Sequence, residues 1–185
     1  MVTKEEQKLI DGCIRGNSAC QKQLYLEYGP MVKGICRRYA PNADETEDLF
    51  HDTFVFILTH FKDYTNITSL GGWLYQITVN KALDYCRKRS RHKTQAVEDE
   101  DYPSPGLSSP MPEVLSMEQL VTFINELPDR QRMAFNLFYI DGYSQKEMED
   151  ILEESSTNVR TLVFRAKSRL RERIRGFLNH EEFEL

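Results

Sequence analysis

The sequence predicts an all-α protein of two helical domains joined by a flexible acidic linker rich in proline and serine. Apolar residues recur three or four positions apart on both sides of this linker, which is the helical period, and no stretch reads convincingly as a strand. Residues 94–112 read TQAVEDEDYPSPGLSSPMP and contain four of the seven prolines. Because proline removes backbone donors and the acids of residues 98–101 repel one another, this segment is not expected to pack.

The predicted domain boundaries follow from this break. An N-terminal domain covers residues 1–93, the linker 94–112, a C-terminal domain 113–180 and a tail 181–185. Since the chain has 185 residues, each of the two domains is long enough to bury its own core.

The N-terminal domain is predicted to contain four helices. The first carries the apolar stripe of residues 9–14, and the second runs over about 24–39 with an interruption near Gly29 and Pro30. The third, about 44–61, is apolar along one side. The fourth, about 73–89, follows a polar loop that contains two glycines.

The C-terminal domain is predicted to be a helix-turn-helix module. Helices are expected over 116–127 and 130–140, separated by Pro128. The sequence SQKE at Ser144 is a capping box that starts a short helix ending at Leu152. A polar turn then leads to a long basic helix that Ser155 or Ser156 caps, and a short helix, a turn and a basic helix are typical of DNA-binding modules.

Composition points to a soluble globular protein. Hydrophobic residues make up 40% and charged residues 29% of the chain. No apolar run approaches the roughly 20 residues of a membrane span, and the charged residues 1–8 lack the apolar stretch of a signal peptide. We therefore expect a cytoplasmic protein without direct membrane insertion.

The four cysteines do not suggest a metal site. None forms a C-x-x-C pair or has a histidine at ligand spacing, so we expect no metal and no cofactor. Cys36 and Cys86 lie among apolar residues at helical spacing and are predicted to be reduced core residues.

The net charge of −5 is unevenly distributed. Residues 1–93 carry 14 basic and 11 acidic side chains, residues 94–128 carry none and 7, and residues 129–185 carry 10 and 11. Within the last part, residues 157–175 hold seven basic side chains and one acid. Because local patches decide where a polyanion docks, the acidic total does not exclude nucleic acid.

The last helix has one apolar and one basic side. Its apolar side is predicted to pack inward through Val159, Val163, Ala166 and Leu170. Four polar residues near its start are predicted to point outward, where arginine, amide and hydroxyl groups contact bases and phosphates. They are Asn158, Arg160, Thr161 and Arg165. From these residues alone, a helical hairpin with a solvated basic face remains an open alternative.

The fourth helix carries aromatic, amide and basic side chains together. Trp73, Asn80, Asp84 and Arg87 recur at helical spacing, and basic residues cluster from Arg87 to residue 93. Aromatic and basic residues side by side suit single-stranded nucleic acid, because bases stack and phosphates are neutralised. The open alternative is a core tryptophan with basic residues that complement the helix dipole.

The third helix carries an acidic stripe formed by Glu47, Asp48, His51 and Asp52. Paired carboxylates can perform acid–base chemistry or bind metal. No nucleophile or second ligand set accompanies them, so a solvated face or a partner-docking face is the favoured interpretation.

Several of these segments together resemble the extracytoplasmic-function (ECF) subfamily of the sigma-70 family of bacterial RNA polymerase sigma factors. The resemblance covers roughly residues 5–178 in the family's order and spacing. Its segments are DLFHDTF at 48–54, WLYQI with Asn80 and the DYCR of 84–87, LPDRQR at 127–132, GYSQKEM at 142–148, and the VR and RA pairs that begin at Val159 and Arg165.

The resemblance implies a four-helix sigma domain 2 over residues 1–93 and a helix-turn-helix sigma domain 4 over residues 113–180. It implies a non-enzymatic protein whose partners are promoter DNA and RNA polymerase core, through the largest-subunit clamp helices and the flap. A membrane-associated anti-sigma factor is a further candidate partner. The linker would run through polymerase near the path of nascent RNA.

Residue roles are implied by position in the matching segments. The implied polymerase-binding residues are Asp48, Leu49, His51 and Asp52. The implied minus-ten DNA-binding residues are Trp73, Asn80, Arg87 and Arg89, with bases captured by the loop of residues 64–72. The implied minus-thirty-five DNA-binding residues are Asn158, Arg160, Thr161 and Arg165.

The chain departs from the family pattern at four positions of the C-terminal domain. Glu149 replaces a small residue, Glu153 a turn glycine, Asn158 a threonine and Leu162 an arginine. These departures bear on the upstream-element preference and leave the helical pattern intact.

Two other functions remain open alternatives. One is a stand-alone helix-turn-helix regulator that binds duplex DNA without polymerase. The other, more remote, is an enzyme that uses the acids of the third helix.

Overall fold

The computed structural model describes residues 2–63, 69–92 and 115–181, and within these ranges every regular element is helical. By its contacts, the chain divides into two compact units between Arg89 and Ser90. The predicted all-α class with two helical domains is confirmed. Within the ranges described, no helix is long and apolar enough to cross a membrane.

In its described residues, the N-terminal unit contains four α-helices, and a polar side chain caps the start of each. Helix α1 spans Lys4–Ile14, α2 Ser18–Tyr39, α3 Ala43–His60 and α4 Leu70–His92, and a 3-10 turn, Phe61–Asp63, follows α3. Thr3 forms a capping box with Glu6, while Asn17 and Asn42 accept from backbone N–H groups in the first turns of α2 and α3. These side chains satisfy donors that a helix start would otherwise leave unpaired.

Helix α2 is continuous, so the predicted interruption near Gly29 and Pro30 is wrong. A proline inside a helix removes one backbone hydrogen bond, to the carbonyl four residues earlier. Pro30 and Leu26 both lie on the exposed side of α2, where water can hydrate the freed carbonyl. Packing of the opposite side, through the fully buried Leu24 and Val32, holds the helix together.

Helix α4 begins three residues earlier than predicted, at Leu70 rather than Trp73. Ser69 caps it, since its hydroxyl accepts from the Gly72 N–H at 3.3 Å and its carbonyl accepts from the Trp73 N–H at 3.0 Å. The two glycines assigned to the loop therefore belong to the first helical turn. Residues 64–68 of the predicted base-capturing loop lie outside the described residues.

The core of the N-terminal unit includes both cysteines that the sequence assigned to it. Cys36 and Cys86 are buried, and neither forms a disulfide. Burial raises the pKa of the Cys36 thiol to about 12, so this residue stays protonated at neutral pH. The thiol of Cys86 lies 3.8 Å from the carbonyl oxygen of Tyr39.

The C-terminal unit contains α5, Met117–Asn125; α6, Asp129–Phe135; α7, Gln145–Leu152; and α8, Ser156–Glu181. Helix α6 continues into a π-helical turn, Asn136–Ile140, where a single helix was predicted over 130–140. The predicted capping box of α7 is present between Ser144 and Glu147. Ser155 is the cap of α8, because its hydroxyl accepts from the Asn158 N–H at 3.3 Å.

The core of this unit is formed where α5 and α6 pack along α8. The predicted inward stripe of α8 is confirmed, since Val159, Val163, Ala166 and Leu170 are all buried. Arg132, 1% exposed, donates to the Asn125 carbonyl at 3.0 Å and to Asp129 at 2.8 Å, which links the end of α5 to the start of α6. Breaking such a buried pair costs several kcal/mol, about 3–5, so Arg132 has a structural role.

The predicted linker, residues 94–112, lies outside the described residues, as does most of the tail, residues 182–185. The boundaries 1–93, 94–112 and 113–180 therefore remain predictions.

Candidate nucleic-acid and protein interfaces

The exposed face of α3 carries most of the predicted acidic stripe. Asp48, His51 and Asp52 are exposed on adjacent turns. Leu49, predicted beside them, is 5% exposed and lies in the core. Leu49 can therefore support docking only indirectly, by holding α3 in place. The side chains of Asp48, His51 and Asp52 are available for contact with a partner.

Two exposed side chains on or against α3, one aliphatic and one aromatic, were missed from the sequence. Val55, 61% exposed, lies seven residues after Asp48 and so on the same side of α3. Tyr25 of α2 is also exposed, and its ring centre lies 5.1 Å from that of Phe54. The seven-residue spacing could have identified Val55, whereas Tyr25 is brought there by helix packing. We call Tyr25, Asp48, His51, Asp52 and Val55 the α3 surface.

Glu47, the fourth residue of the stripe, is already paired. Its carboxylate lies 2.5 Å from the Lys33 ammonium of α2, and that ammonium lies 5.9 Å from the centre of the Phe50 ring. Both partners are about half exposed, so the pair contributes at most about 1 kcal/mol and mainly orients α2 and α3. Among the described residues, no cluster of metal-ligating side chains is present.

Asn80 and Asp84 are exposed on one stripe of α4, as the spacing predicts, and the half-buried Arg87 lies on the same stripe. Asp84 accepts from Arg87 at 3.1 Å. Gln76 and Lys88 are exposed on the same stripe, four residues before Asn80 and four after Asp84, and were missed. Their positions in the 76–80–84–88 series could have identified them.

Trp73 lies at the start of this stripe but is half-buried. Its ring centre is 4.8 Å from that of Phe61. The indole therefore packs on the 3-10 turn, which limits the part of the ring that could stack on a base.

The fourth predicted residue, Arg89, lies on the opposite side of α4. It follows Asn80 by nine positions, which places it about half a turn away. Its guanidinium donates to Glu45 of α3 at 2.6 Å and to the Tyr85 hydroxyl at 3.2 Å. Because Glu45 also accepts from Tyr85, these three side chains tie α4 to α3.

The start of α8 presents the second predicted DNA-binding set. Asn158 and Arg160 are exposed, while Thr161 and Arg165 are half-buried. The Arg160 Nε lies 3.3 Å from the Gln145 Oε1 of α7, and the Thr161 hydroxyl donates to the Thr157 carbonyl at 2.9 Å. The structure thus brings all four residues to one end of α8, with two of them exposed.

The turn before α8 uses a left-handed residue. Glu153 has φ 54° and ψ 45°, and its backbone N–H donates to the Glu149 carbonyl. This is the conformation that usually requires glycine at a helix C-terminus, because a Cβ crowds the following carbonyl.

Farther along α8, some of the basic charge is used within the unit. Arg173 donates to Glu126 at 2.6 Å and lies 5.1 Å from the centre of the Phe123 ring. The hydrogen bond to Glu126 raises the pKa of the Arg173 side chain, which stays charged. This contact helps to pack α8 on α5, although Arg173 itself remains about half exposed.

Known proteins match both units. Residues 24–92 match the family model Sigma-70 region 2, and residues 117–170 match the family model Sigma-70, region 4. The ECF RNA polymerase sigma factor SigM of Bacillus subtilis is 32% identical over 129 residues, which are 68% of this chain and 77% of that protein. The chain belongs to the ECF sigma factors.

Other comparisons extend along more of this sigma factor. The ECF RNA polymerase sigma-E factor of Salmonella typhimurium is 27% identical over 184 residues, covering 94% of this chain and 96% of the relative. The crystallised sigma factor RpoE of Bartonella quintana, in complex with the anti-sigma factor NepR, is 24% identical with a TM-score of 0.50. That match covers 82% of this chain and 94% of the other, and it shows a shared fold.

The resemblance seen in the sequence is therefore confirmed. The first family match of this sigma factor spans most of α2 and all of α3 and α4, and the second spans α5 to Leu170 of α8. Its function is that of a transcription-initiation factor that works with RNA polymerase and promoter DNA, and its family is one of non-catalytic factors.

Proposed function

We propose that this sigma factor binds polymerase core through the α3 surface and reads its promoter through α4 and the start of α8. The observation that carries the proposal is a division of surfaces. An acidic and apolar face lies on α3, whereas amide and basic side chains are exposed on α4 and α8. The first suits a protein partner, and the other two suit nucleic acid.

At the α3 surface, Asp48, His51 and Asp52 dock on the clamp helices of the largest polymerase subunit. Exposed carboxylates steer association with a basic partner, while Val55 and Tyr25 supply apolar contact area. Leu49 keeps the helix in position from inside the core.

At α4, the exposed stripe receives the melted minus-ten strand. Asn80 can hydrogen-bond the edge of an unstacked base, and Arg87 and Lys88 can neutralise phosphates. Trp73 offers part of its ring for stacking. Arg89 contributes less directly, because its pairing with Glu45 fixes the packing of α4 on α3.

At α8, the first turns enter the major groove of the minus-thirty-five element. Asn158 and Arg160 reach base edges, while Thr161 and Arg165 contact the backbone at the rim. The C-terminal domain, residues 113–180, also contacts the polymerase flap, and the acidic linker, residues 94–112, lies near the path of nascent RNA.

The remaining elements of the proposal follow from family membership. The protein makes no covalent bonds itself, needs no cofactor or metal, and acts in the cytoplasm. The Bartonella quintana relative was crystallised with an anti-sigma factor, which supports an anti-sigma factor as a partner here. That this partner is membrane-associated is part of the proposal.

The docking part is tested with the double variant Asp48→Ala, Asp52→Ala. Because exposed carboxylates contribute little to folding, helicity by circular dichroism should be unchanged. Co-purification with polymerase core should fall at least about tenfold, the effect of losing roughly 1.4 kcal/mol. The matched control, Glu5→Ala with Glu27→Ala, removes two exposed acids elsewhere in the same unit and should bind core as the wild type does.

Two results would count against the proposal. If the double variant unfolds, the stripe is structural and its docking role loses support. If the wild-type chain binds duplex promoter DNA tightly without polymerase and ignores core, the protein is a stand-alone regulator. Gel-shift titration of the free chain, run beside the co-purification, distinguishes these cases.

A further inference from the structure

Three side chains form a connected chain across the turn of the helix-turn-helix. Arg130 of α6 pairs through Nη2 with Oε1 of Glu154, which is only 17% exposed. The other oxygen, Oε2, accepts from Nδ2 of Asn158 at 2.8 Å. Each carboxylate oxygen therefore has its own donor, one from α6 and one from α8.

Arg130 is itself fixed at the end of α7. Its Nη2 donates to the carbonyl of Leu152, the last residue of that helix, at 3.3 Å. A guanidinium held by a backbone carbonyl and a carboxylate has little rotational freedom, and its planar fork presents its donors in set directions. Arg130 thus keeps Glu154 in one place relative to α8.

This arrangement determines how Asn158 presents its amide. A carboxylate can only accept hydrogen bonds, so the group that faces Glu154 must be the amide nitrogen and not the oxygen. The oxygen Oδ1 and the second N–H then remain on the exposed part of the side chain. An acceptor beside a donor complements the N6 and N7 groups of adenine in the major groove.

The position of Asn158 in α8 also allows its amide to contact a base edge. It is the third residue of the first turn of α8, with its backbone N–H bonded to the cap Ser155. Side chains in the first turn of such a helix contact base edges.

We propose that Glu154, held by Arg130, is a positioning residue that makes Asn158 select adenine in the upstream promoter element. The inference rests on the proposed function, in which the start of α8 enters the major groove. Without Glu154 the amide can rotate by half a turn and present a donor where it now presents an acceptor. It would then tolerate guanine or thymine, whose exposed groups accept hydrogen bonds.

The substitution Glu154→Gln separates this role from packing. Glutamine has nearly the same shape, but an NH2 donor takes the place of one of the two acceptor oxygens, so the contacts of Arg130 and Asn158 with separate oxygens cannot both be kept. Loss of the negative charge also raises affinity for any phosphate backbone. The informative quantity is therefore the ratio of activities on two bases, and not the activity on one promoter.

The experiment is run-off transcription by the full-length sigma factor with polymerase core, on promoters that carry every single base change in the upstream element. Asn158→Ala should identify one position and lower its adenine preference about fivefold or more. Glu154→Gln should lower the same ratio comparably, and the double variant should be no worse than Asn158→Ala. The control Glu153→Gln removes the same charge one residue earlier and should leave the ratio unchanged.

Each failure has a different meaning. If Asn158→Ala alters no upstream preference, the placement of α8 in the proposed function is wrong. If it alters one but Glu154→Gln keeps the ratio within about twofold, or the preferred base is not adenine, the positioning inference is wrong. If the Glu154→Gln variant has a lowered melting temperature, Arg130→Met provides a second test. This substitution removes the partner that holds the Glu154 carboxylate and leaves Asn158 and Glu154 in place. An unchanged adenine ratio in the Arg130→Met variant also overturns the inference.

Discussion

The substitution Glu153→Gly should stabilise the C-terminal unit. Glu153 joins α7 to α8 with φ 54° and ψ 45°, and both its own N–H and that of Glu154 donate to the Glu149 carbonyl. The turn therefore needs this left-handed conformation. The side chain is exposed, so its removal forfeits little packing.

The size of the effect follows from two opposing contributions. A residue with a Cβ loses about 1–2 kcal/mol in the left-handed region, and glycine avoids that cost. Glycine in turn loses about 0.5–1 kcal/mol more conformational entropy on folding. The net expectation is an increase of about 0.5–1 kcal/mol in the free energy of unfolding, since the two terms subtract.

Native-state hydrogen exchange measures this change in the free energy of unfolding within the C-terminal unit. Backbone amides of Met148 and Leu152 should exchange about two- to fivefold more slowly in the variant. Two controls isolate the cause: Glu153→Ala removes the charge but keeps Cβ and should give no gain, and Glu149→Gly, inside α7, should lose about 1 kcal/mol. Equal gains from the alanine and glycine variants, or faster exchange in Glu153→Gly, would refute the backbone argument.

The remaining predictions concern the cap, the linker and the DNA face. Ser144→Ala removes the capping box of α7 and should lower the free energy of unfolding by about 1 kcal/mol in chemical denaturation; an unchanged midpoint would contradict it. Limited proteolysis should cut first within residues 94–112 and leave two helical fragments, whereas early cleavage within residues 44–90 would argue against the predicted linker. In run-off transcription, Arg160→Ala should selectively relax the upstream element, and Arg165→Ala should weaken binding evenly and flatten its salt dependence. If Arg160→Ala altered only the preference for the downstream element, α8 would not be the helix that recognises the upstream element.

Much of the fold could be predicted because its signals are local. Capping at Ser144 and the apolar stripe of α8 depend on spacing along one helix, and both are confirmed. The predicted interruption at Pro30 is wrong because the effect of a proline on a helix depends on the surrounding packing as well as on the local sequence. Proline costs a hydrogen bond, but the buried opposite side of α2 outweighs that cost, and this packing involves residues distant in sequence.

In the candidate interfaces too, features within one helix could be predicted from the sequence, and contacts between helices could not. The shared face of Asn80, Asp84 and Arg87 follows from helical spacing, whereas the pairing of Arg89 with Glu45 joins residues 44 positions apart. Similarly, the sequence indicated Asn158 as a DNA-facing residue but gave no sign of its contact with Glu154 or of the pairing of Glu154 with Arg130. Contacts between helices decide which polar side chains remain available, and spacing within one helix does not report them.

The central claim is that this sigma factor gives polymerase core the ability to start at specific promoters. The direct measurement mixes the purified chain with polymerase core and genomic DNA and maps the 5′ ends of the transcripts. We expect starts at a limited set of sites that share one upstream and one downstream element and that disappear with the Asp48→Ala, Asp52→Ala variant. Transcripts that start at the same sites without the chain, or at scattered sites with it, would contradict the account.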